Sequence, residues 1–364
     1  MNRRDFIYAA SAGAASAAAS PVATLAQNNP AAAPDARQPA VKLRTVTLEE
    51  HFATPAFAAG PGKGLVERLR SSGPRGIKIA EQLLDVGDGR VAEMDAGDID
   101  IQVLSLNAPG VEQVADPAEQ IAIAREANDF VLDVVKKYPK RFAAFAALPV
   151  STPELAADEL ELRVRKQGFK GTMINGHAQG EYLDDKKYWG IFEAAQALDV
   201  PIYLHPREPH PLVNKTYFEN YPELQTAAWG FAMETCTHFL RLVFAGVFDA
   251  YPRLKFILGH MGEGLPFWLN RFEDHTRFSM QARGLKRGPR QYLTENLVIT
   301  CSGNFSTGAF LCAVMEMGID NVLFSVDWPY ESNRVGVEFL KHLPLSPADK
   351  EKFAHGNAER VLKL

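Results

Sequence analysis

Glu49 and His51 stand at the end of Thr45–Phe52, TVTLEEHF. Thr45–Leu48 reads as a short strand. Strand side chains alternate faces, so Glu49 and His51 project together and Glu50 points away. A carboxylate and an imidazole side by side at a strand end can hold a divalent metal. His205 in PIYLHP and Asp327 in LFSVDWP each follow an apolar run directly and precede a turn bearing Pro206 or Pro329. A buried histidine is often only a satisfied core group, and a strand-end aspartate is often only a helix cap. Two imidazoles and two carboxylates gathered at strand termini are more than either, and Glu49, His51, His205 and Asp327 are read as one metal site. The donor mix suits one divalent ion, Zn²⁺ or Mn²⁺.

His260 and Glu263 lie in FILGHMGEG, three apart across Met261-Gly262. Glycines at 259, 262 and 264 make this a tight turn in which backbone can approach a ligand closely. His260 is a candidate fifth ligand or general acid/base, and Glu263 a candidate to orient its ring. Other polar residues at strand ends are Asn107, His177, Ser302 and Asn304. Arg271, about two turns into the helix after Glu263, is a candidate for an anionic substrate, although a lone arginine is more often a surface residue. The remaining histidines read as ordinary helix or loop residues. Cys236, Cys301 and Cys312 lack metal spacing, and Cys301 reads as a small buried apolar residue.

Eight strand-like runs position these groups: Thr45–Leu48, Ile101–Leu106, Phe142–Leu148, Lys170–Ile174, Ile202–Leu204, Leu254–Leu258, Leu297–Thr300 and Val322–Val326. Helix-period segments separate most of them. Asp116-Pro117 opens the clearest, with an N-cap and a proline at N1, and Pro139 ends it. Eightfold alternation predicts an α/β fold, a (β/α)8 TIM barrel of the metal-dependent hydrolase type, with active residues at the C-terminal strand ends. A doubly wound open sheet is disfavoured because no strand is followed by G-x-G-x-x-G and no phosphate-binding G-x-x-x-x-G-K-[ST] occurs. Ala53–Gly89 is long, rich in Gly and Pro and weakly patterned, which predicts a first βα insertion over the barrel mouth. Ser346–Leu364 reads as a closing helix.

A net charge of -5 without a dense Lys/Arg tract excludes nucleic acid as a natural partner. No apolar run after the first thirty residues approaches the roughly 18 needed for a membrane span. Residues 1–26, with Arg3-Arg4-Asp5-Phe6 before an Ala-rich core, read as a twin-arginine-type signal peptide for a periplasmic or secreted protein exported folded. Residues 27–42 read as a flexible lead-in, and 43–364 as the barrel domain.

LEEHF, LSLNAPGVE, RFAAFAALPVSTP, YLHPREP, LGHMGEGLP, SGNF, FSVDWPYE and GNAERVLKL together resemble the amidohydrolase-related family. They look most like its non-oxidative aromatic acid decarboxylases, acting on γ-resorcylate (2,6-dihydroxybenzoate) or 2,3-dihydroxybenzoate. The resemblance implies that Glu49, His51, His205 and Asp327 bind the metal and that His260 and Glu263 assist proton transfer. It implies a small aromatic carboxylic acid as substrate, its ortho-hydroxyl taken by the metal while a protonated Asp327 protonates the ring carbon and CO₂ leaves. A homodimer or homotetramer is also implied. Asn175-Gly176-His177 and the export signal depart from the usual pattern. Two rival readings use the same residues: a hydrolase of a lactone, ester or amide, and a periplasmic binding protein that has lost catalysis.

Overall fold

The computed structural model describes residues 42–364, and the predicted export signal lies outside them. Leu43–Leu364 is one compact unit. Its strands are β1 (Val46–Phe52), β2 (Ile101–Leu106), β3 (Phe142–Ala144), β4 (Thr172–Asn175), β5 (Ile202–His205), β6 (Phe256–Leu258), β7 (Leu297–Thr300) and β8 (Val322–Leu323). All neighbours pair in parallel, in chain order, as β1-β2-β3 and β4-β5-β6-β7-β8.

Two seams close these sheets into a (β/α)8 barrel. Between β3 and β4, Ala146 N donates to Gly171 O at 2.9 Å and Met173 N to Ala146 O at 3.2 Å. Between β8 and β1, side chains do part of the work of a backbone ladder. Glu50 accepts from Val326 N at 3.0 Å, Trp328 N at 3.3 Å and Ser325 Oγ at 3.2 Å. Ser325 Oγ in turn accepts from Glu49 N at 2.9 Å. This explains why β8 ends at Leu323 instead of the expected Val326: of the following amides, Phe324 N donates to Phe353 O, Ser325 N points to Cys301 Sγ and Val326 N binds the Glu50 carboxylate, so none pairs with a neighbouring strand. β3 likewise stops at Ala144, short of Leu148, with one isolated bridge at Ala146. β1 is longer than expected and carries a register shift between Thr47 and Glu50, so Glu49, Glu50 and His51 lie within the strand.

Alternate residues fill the interior. Leu48, Val103, Phe145, Met173, Tyr203, Ile257, Val298 and Leu323 form one buried cluster, joined from the closing segment by Ala358 and Leu362. Burial of each large apolar side chain contributes about 1.5–3 kcal/mol. The outer faces of the strands pack against the helices in a second, larger cluster. The helix Pro117–Lys137 forms where expected, with the Asp116 side chain capping Glu119 N, and buries Ala124, Asn128 and Val131.

The first βα insertion is more ordered than its composition predicts. It folds into helices Pro55–Ala59, Lys63–Ser71, Pro74–Leu84 and Asp88–Ala96. Thr54 caps the first and prolines open two of them. Among the described residues, no helix is long and apolar enough to cross a membrane.

Candidate active site

Glu49 is fully buried in the C-terminal mouth of the barrel, and its two oxygens have different tasks. Oε2 accepts from Tyr203 Oη, with Thr300 Oγ1 at 3.5 Å. Oε1 has no hydrogen-bond partner and lies 3.4 Å from His205 Nε2 and 3.8 Å from His260 Nε2. Gly259 makes room for it, since a Cβ there would sit 2.6 Å from Oε2. Burial raises the Glu49 carboxyl above the usual range against the pull of His260, so a nearby cation is needed to keep it ionised.

His51 presents Nε2, buried and without a hydrogen-bond donor or acceptor of good geometry, 3.2 Å from Asp327 Oδ1. Its Nδ1 lies 3.3 Å from Ser105 Oγ. A proton on Nδ1, donated to Ser105, leaves the Nε2 lone pair free for a metal. Burial, then the neighbouring His51, hold His205 well below the usual imidazole range, so it is neutral, as a ligand must be. Glu49, His51 and His205 offer atoms within 4.8 Å of one another, as do Glu49, His260 and Asp327. Orphaned buried donors of this mixed O/N type fit a divalent ion held by Glu49, His51, His205 and Asp327.

His260 is held between acids. Its Nδ1 is 2.7 Å from Glu263 Oε1, and its Nε2 is 3.8 Å from Asp327 Oδ2. Burial disfavours its charged form, but Glu263 and Glu49 overcome this and raise its pKa well above the usual value. Burial also works to raise Asp327, and the neighbouring His260 and His51 imidazoles hold it down at about 2. These directions put the resting proton toward His260, with Asp327 3.8 Å away to receive it. The backbone is strained at both segments: His260, Met261 and Glu263 in the turn after β6, and Asp327 after β8, have φ of 51°, 59°, 55° and 78°. Such left-handed conformations cost roughly 1–3 kcal/mol each, and they cluster here at the reacting groups.

These groups open onto a cavity of about 380 Å³, the size of a small-molecule site. Leu65, Ile79, Pro109, Pro206 and Phe231 supply apolar wall, and Arg68, Arg75, Arg207, Asn107 and Tyr330 supply polar wall. Leu65, Arg68, Arg75 and Ile79 come from the first βα insertion, which covers the mouth as expected. Asn107 lines the cavity, and its Oδ1 accepts from Tyr330 Oη at 2.9 Å.

Arg271 does not belong to this cavity. It stands exposed on the helix Leu265–Ala282. Leu265 and Leu269 set the buried face of that helix, and two residues beyond Leu269 is a rotation of about 200°. His177 is buried beside the site but accepts from Gly180 N at 2.8 Å and is not part of the cavity wall. Cys301 is a buried core residue, as read. Tyr203, Ser105, Arg207 and Tyr330 were missed. Of these, Tyr203 was within reach, because it shares a strand face with His205 at spacing two.

The chain matches the amidohydrolase family model over residues 74–364. It is 42% identical over 332 residues to the gamma-resorcylate decarboxylase of a Polaromonas species, covering 88% of this chain and 98% of that one. Two solved structures are similar across 88% of the chain. One is a 2,6-dihydroxybenzoate decarboxylase complexed with 2,6-dihydroxybenzoate (38% identity, TM-score 0.82, all of that chain). The other is a Polaromonas dihydroxybenzoic acid decarboxylase with bound manganese and the inhibitor 2-nitroresorcinol (40% identity, TM-score 0.82, 97% of that chain). By sequence and by the architecture that carries Glu49, His51, His205 and Asp327, this chain is a member of the amidohydrolase family.

Proposed function

We propose that this enzyme removes CO₂, without oxidation, from a benzoate bearing an ortho-hydroxyl group. One observation carries the reading. A metal-donor set shares its cavity wall with Asp327, and Asp327 is coupled through His260 to Glu263. The similarity to dihydroxybenzoate decarboxylases supports it.

Loss of CO₂ from an unprotonated ring would leave an aryl anion of very high energy, so the ring carbon must gain a proton first. When bound, the divalent ion supplies positive charge that makes the ortho-hydroxyl more acidic and the ring more electron-rich. Asp327 faces the same cavity and delivers the proton. Entry of an anionic substrate beside it opposes its ionisation and draws the proton across from His260. Glu263 holds the His260 ring by Nδ1, so that Nε2 faces Asp327. The proton lands on the carbon that carries the carboxylate. The C–C bond then breaks, its electron pair returns to the ring, and CO₂ leaves as aromaticity is restored. The apolar wall excludes water from the protonated ring.

The test is to incubate the metal-loaded chain with 2,6-dihydroxybenzoate, 2,3-dihydroxybenzoate and salicylate and to follow the phenol by chromatography. Metal-dependent phenol from any of them supports the reading. No phenol from all three, with a lactone or ester cleaved instead, would replace it by the hydrolase.

Three finer points belong to the same proposal. The ion is Mn²⁺, supported by a donor set without thiolate and by manganese in the similar structure; elemental analysis checks it. The chain forms a homodimer or larger homo-oligomer, supported by exposed Phe267, Trp268 and Phe278 on one helix; light scattering checks it. Export proceeds by the twin-arginine route, supported by Arg3-Arg4-Asp5-Phe6; fractionation of cells carrying Arg3→Lys and Arg4→Lys checks it.

A further inference from the structure

Tyr203 lies on β5 two residues before His205, and Thr300 ends β7 two residues after Val298, so both side chains enter the barrel interior. Both are fully buried. The Tyr203 ring packs in the interior cluster, with its centroid 6.0 Å from that of Phe145. Its hydroxyl has two partners, Glu49 Oε2 and, at 3.1 Å, Thr300 Oγ1. Donor count fixes the direction of both bonds. An ionised carboxylate only accepts, so Tyr203 spends its single proton on Glu49. Thr300 then donates to Tyr203. Two hydroxyls thus form a chain directed at one oxygen of Glu49, and each bond in such a chain polarises the next.

The other oxygen is left open. Glu49 Oε1 is buried without a hydrogen-bond partner. On one side the carboxyl meets the backbone of Gly259, so close that a Cβ there would sit 2.6 Å from Oε2 and 2.9 Å from Oε1. An unheld Glu49 would have two competing partners, because Oε1 is 3.4 Å from His205 Nε2 and 3.8 Å from His260 Nε2. Closing onto either imidazole would spend the oxygen that faces the other donors.

We propose that Tyr203, backed by Thr300, is a positioning residue that anchors Glu49 by Oε2 and reserves Oε1 for the divalent ion. This rests on the reading of Glu49, His51, His205 and Asp327 as a metal site. The affinity of that site is then set partly from inside the barrel, by groups that are not themselves ligands. Loss of such an outer hydrogen bond weakens metal binding by roughly 10- to 100-fold. Thr300 acts through Tyr203, since its own oxygen is 3.5 Å from Oε2.

The test is metal binding in the absence of substrate. Mn²⁺ is titrated into the metal-free protein, and the free ion is followed by electron paramagnetic resonance, for the parent, Tyr203→Phe, Thr300→Val and the double variant. Tyr203→Phe is expected to bind Mn²⁺ roughly 10- to 100-fold more weakly. Its metal-free melting temperature should stay within a few degrees of the parent, because the phenyl ring keeps its place beside Phe145. Thr300→Val should weaken binding less, and the double variant should bind no more weakly than Tyr203→Phe alone. Parental affinity in Tyr203→Phe, an affinity loss matched by a fall in metal-free melting temperature, or losses that multiply in the double variant overturns the proposal. A parent that takes up no Mn²⁺ is a distinct result, which removes the metal site and this role of Tyr203 with it.

Discussion

The Nδ1 of His260 lies 2.7 Å from Glu263 Oε1, while its Nε2 looks toward Asp327 Oδ2 at 3.8 Å. One imidazole thus joins a buried acid to the residue that faces the substrate. Glu263→Gln keeps the shape and removes the charge that helps raise the His260 pKa. The protonated form of His260 then persists to a lower pH limit. The alkaline limb of kcat/KM should move to lower pH, with a fall in kcat of roughly 10- to 100-fold. A pH profile measures both, and an unmoved alkaline limb would remove Glu263 from the relay.

Asp327→Asn should abolish turnover, a loss of at least roughly 1,000-fold, because both the proton donor and one metal ligand are lost. The fold should survive, since Asn tolerates the left-handed backbone that Asp327 adopts at φ 78°. Thermal unfolding within a few degrees of the parent, together with lost activity, is the expected pair of results. Near-normal activity would exclude Asp327 as the donor.

His205→Ala should leave a folded barrel with less metal. Its Nε2 is 3.4 Å from the unpaired Glu49 oxygen, and without it one donor of the set is missing. Elemental analysis after exhaustive dialysis should show a metal content well below the parent's. Unchanged stoichiometry would strike His205 from the ligands.

Glu112 offers a stability test away from the metal. It is fully buried, accepts from Asn175 N at 2.9 Å, and burial pushes its carboxyl up to about 7. The folded state therefore binds a proton that the unfolded chain has released above its ordinary value near 4.5. Its contribution to stability is complete below that value and is lost as pH rises toward 7, on the order of 3 kcal/mol. Glu112→Gln should melt higher than the parent at pH 8 and close to it at pH 4.5. Parallel melting curves at the two pH values would contradict this.

The barrel and the metal donors were legible because both follow from short-range pattern. Eight apolar runs alternate with helical period, and polar residues fall just after them, as His205 and Asp327 do. The Glu49 and His51 pair needed only the strand period of two. Three-dimensional closure was not legible. Glu50 was assigned to the outer face by the same period, yet it supplements the backbone bond His51 N–Trp328 O across the seam to the segment after β8, through Val326 N and Trp328 N, 276 and 278 residues away. Arg271 lies outside the cavity of its own chain for the opposite reason: position along the chain placed it near the site, and the buried face set by Leu269 turned it outward. Arg207 went unnoticed because nothing in its spacing distinguishes a buried unpaired guanidinium from a surface one. The proton on His260 depends on the surrounding charges, which only the folded structure brings together.

Decarboxylation in D₂O tests the central claim most directly. The manganese-loaded enzyme is given 2,6-dihydroxybenzoate or another accepted ortho-hydroxybenzoate, and the product is analysed by mass spectrometry and proton NMR. The expected result is a phenol with one deuterium at the carbon that carried the carboxylate, formed together with CO₂ and absent after metal removal. A product that retains the carboxylate, or a cleaved ester or ring-opened lactone in place of a phenol, would contradict ring protonation by this site.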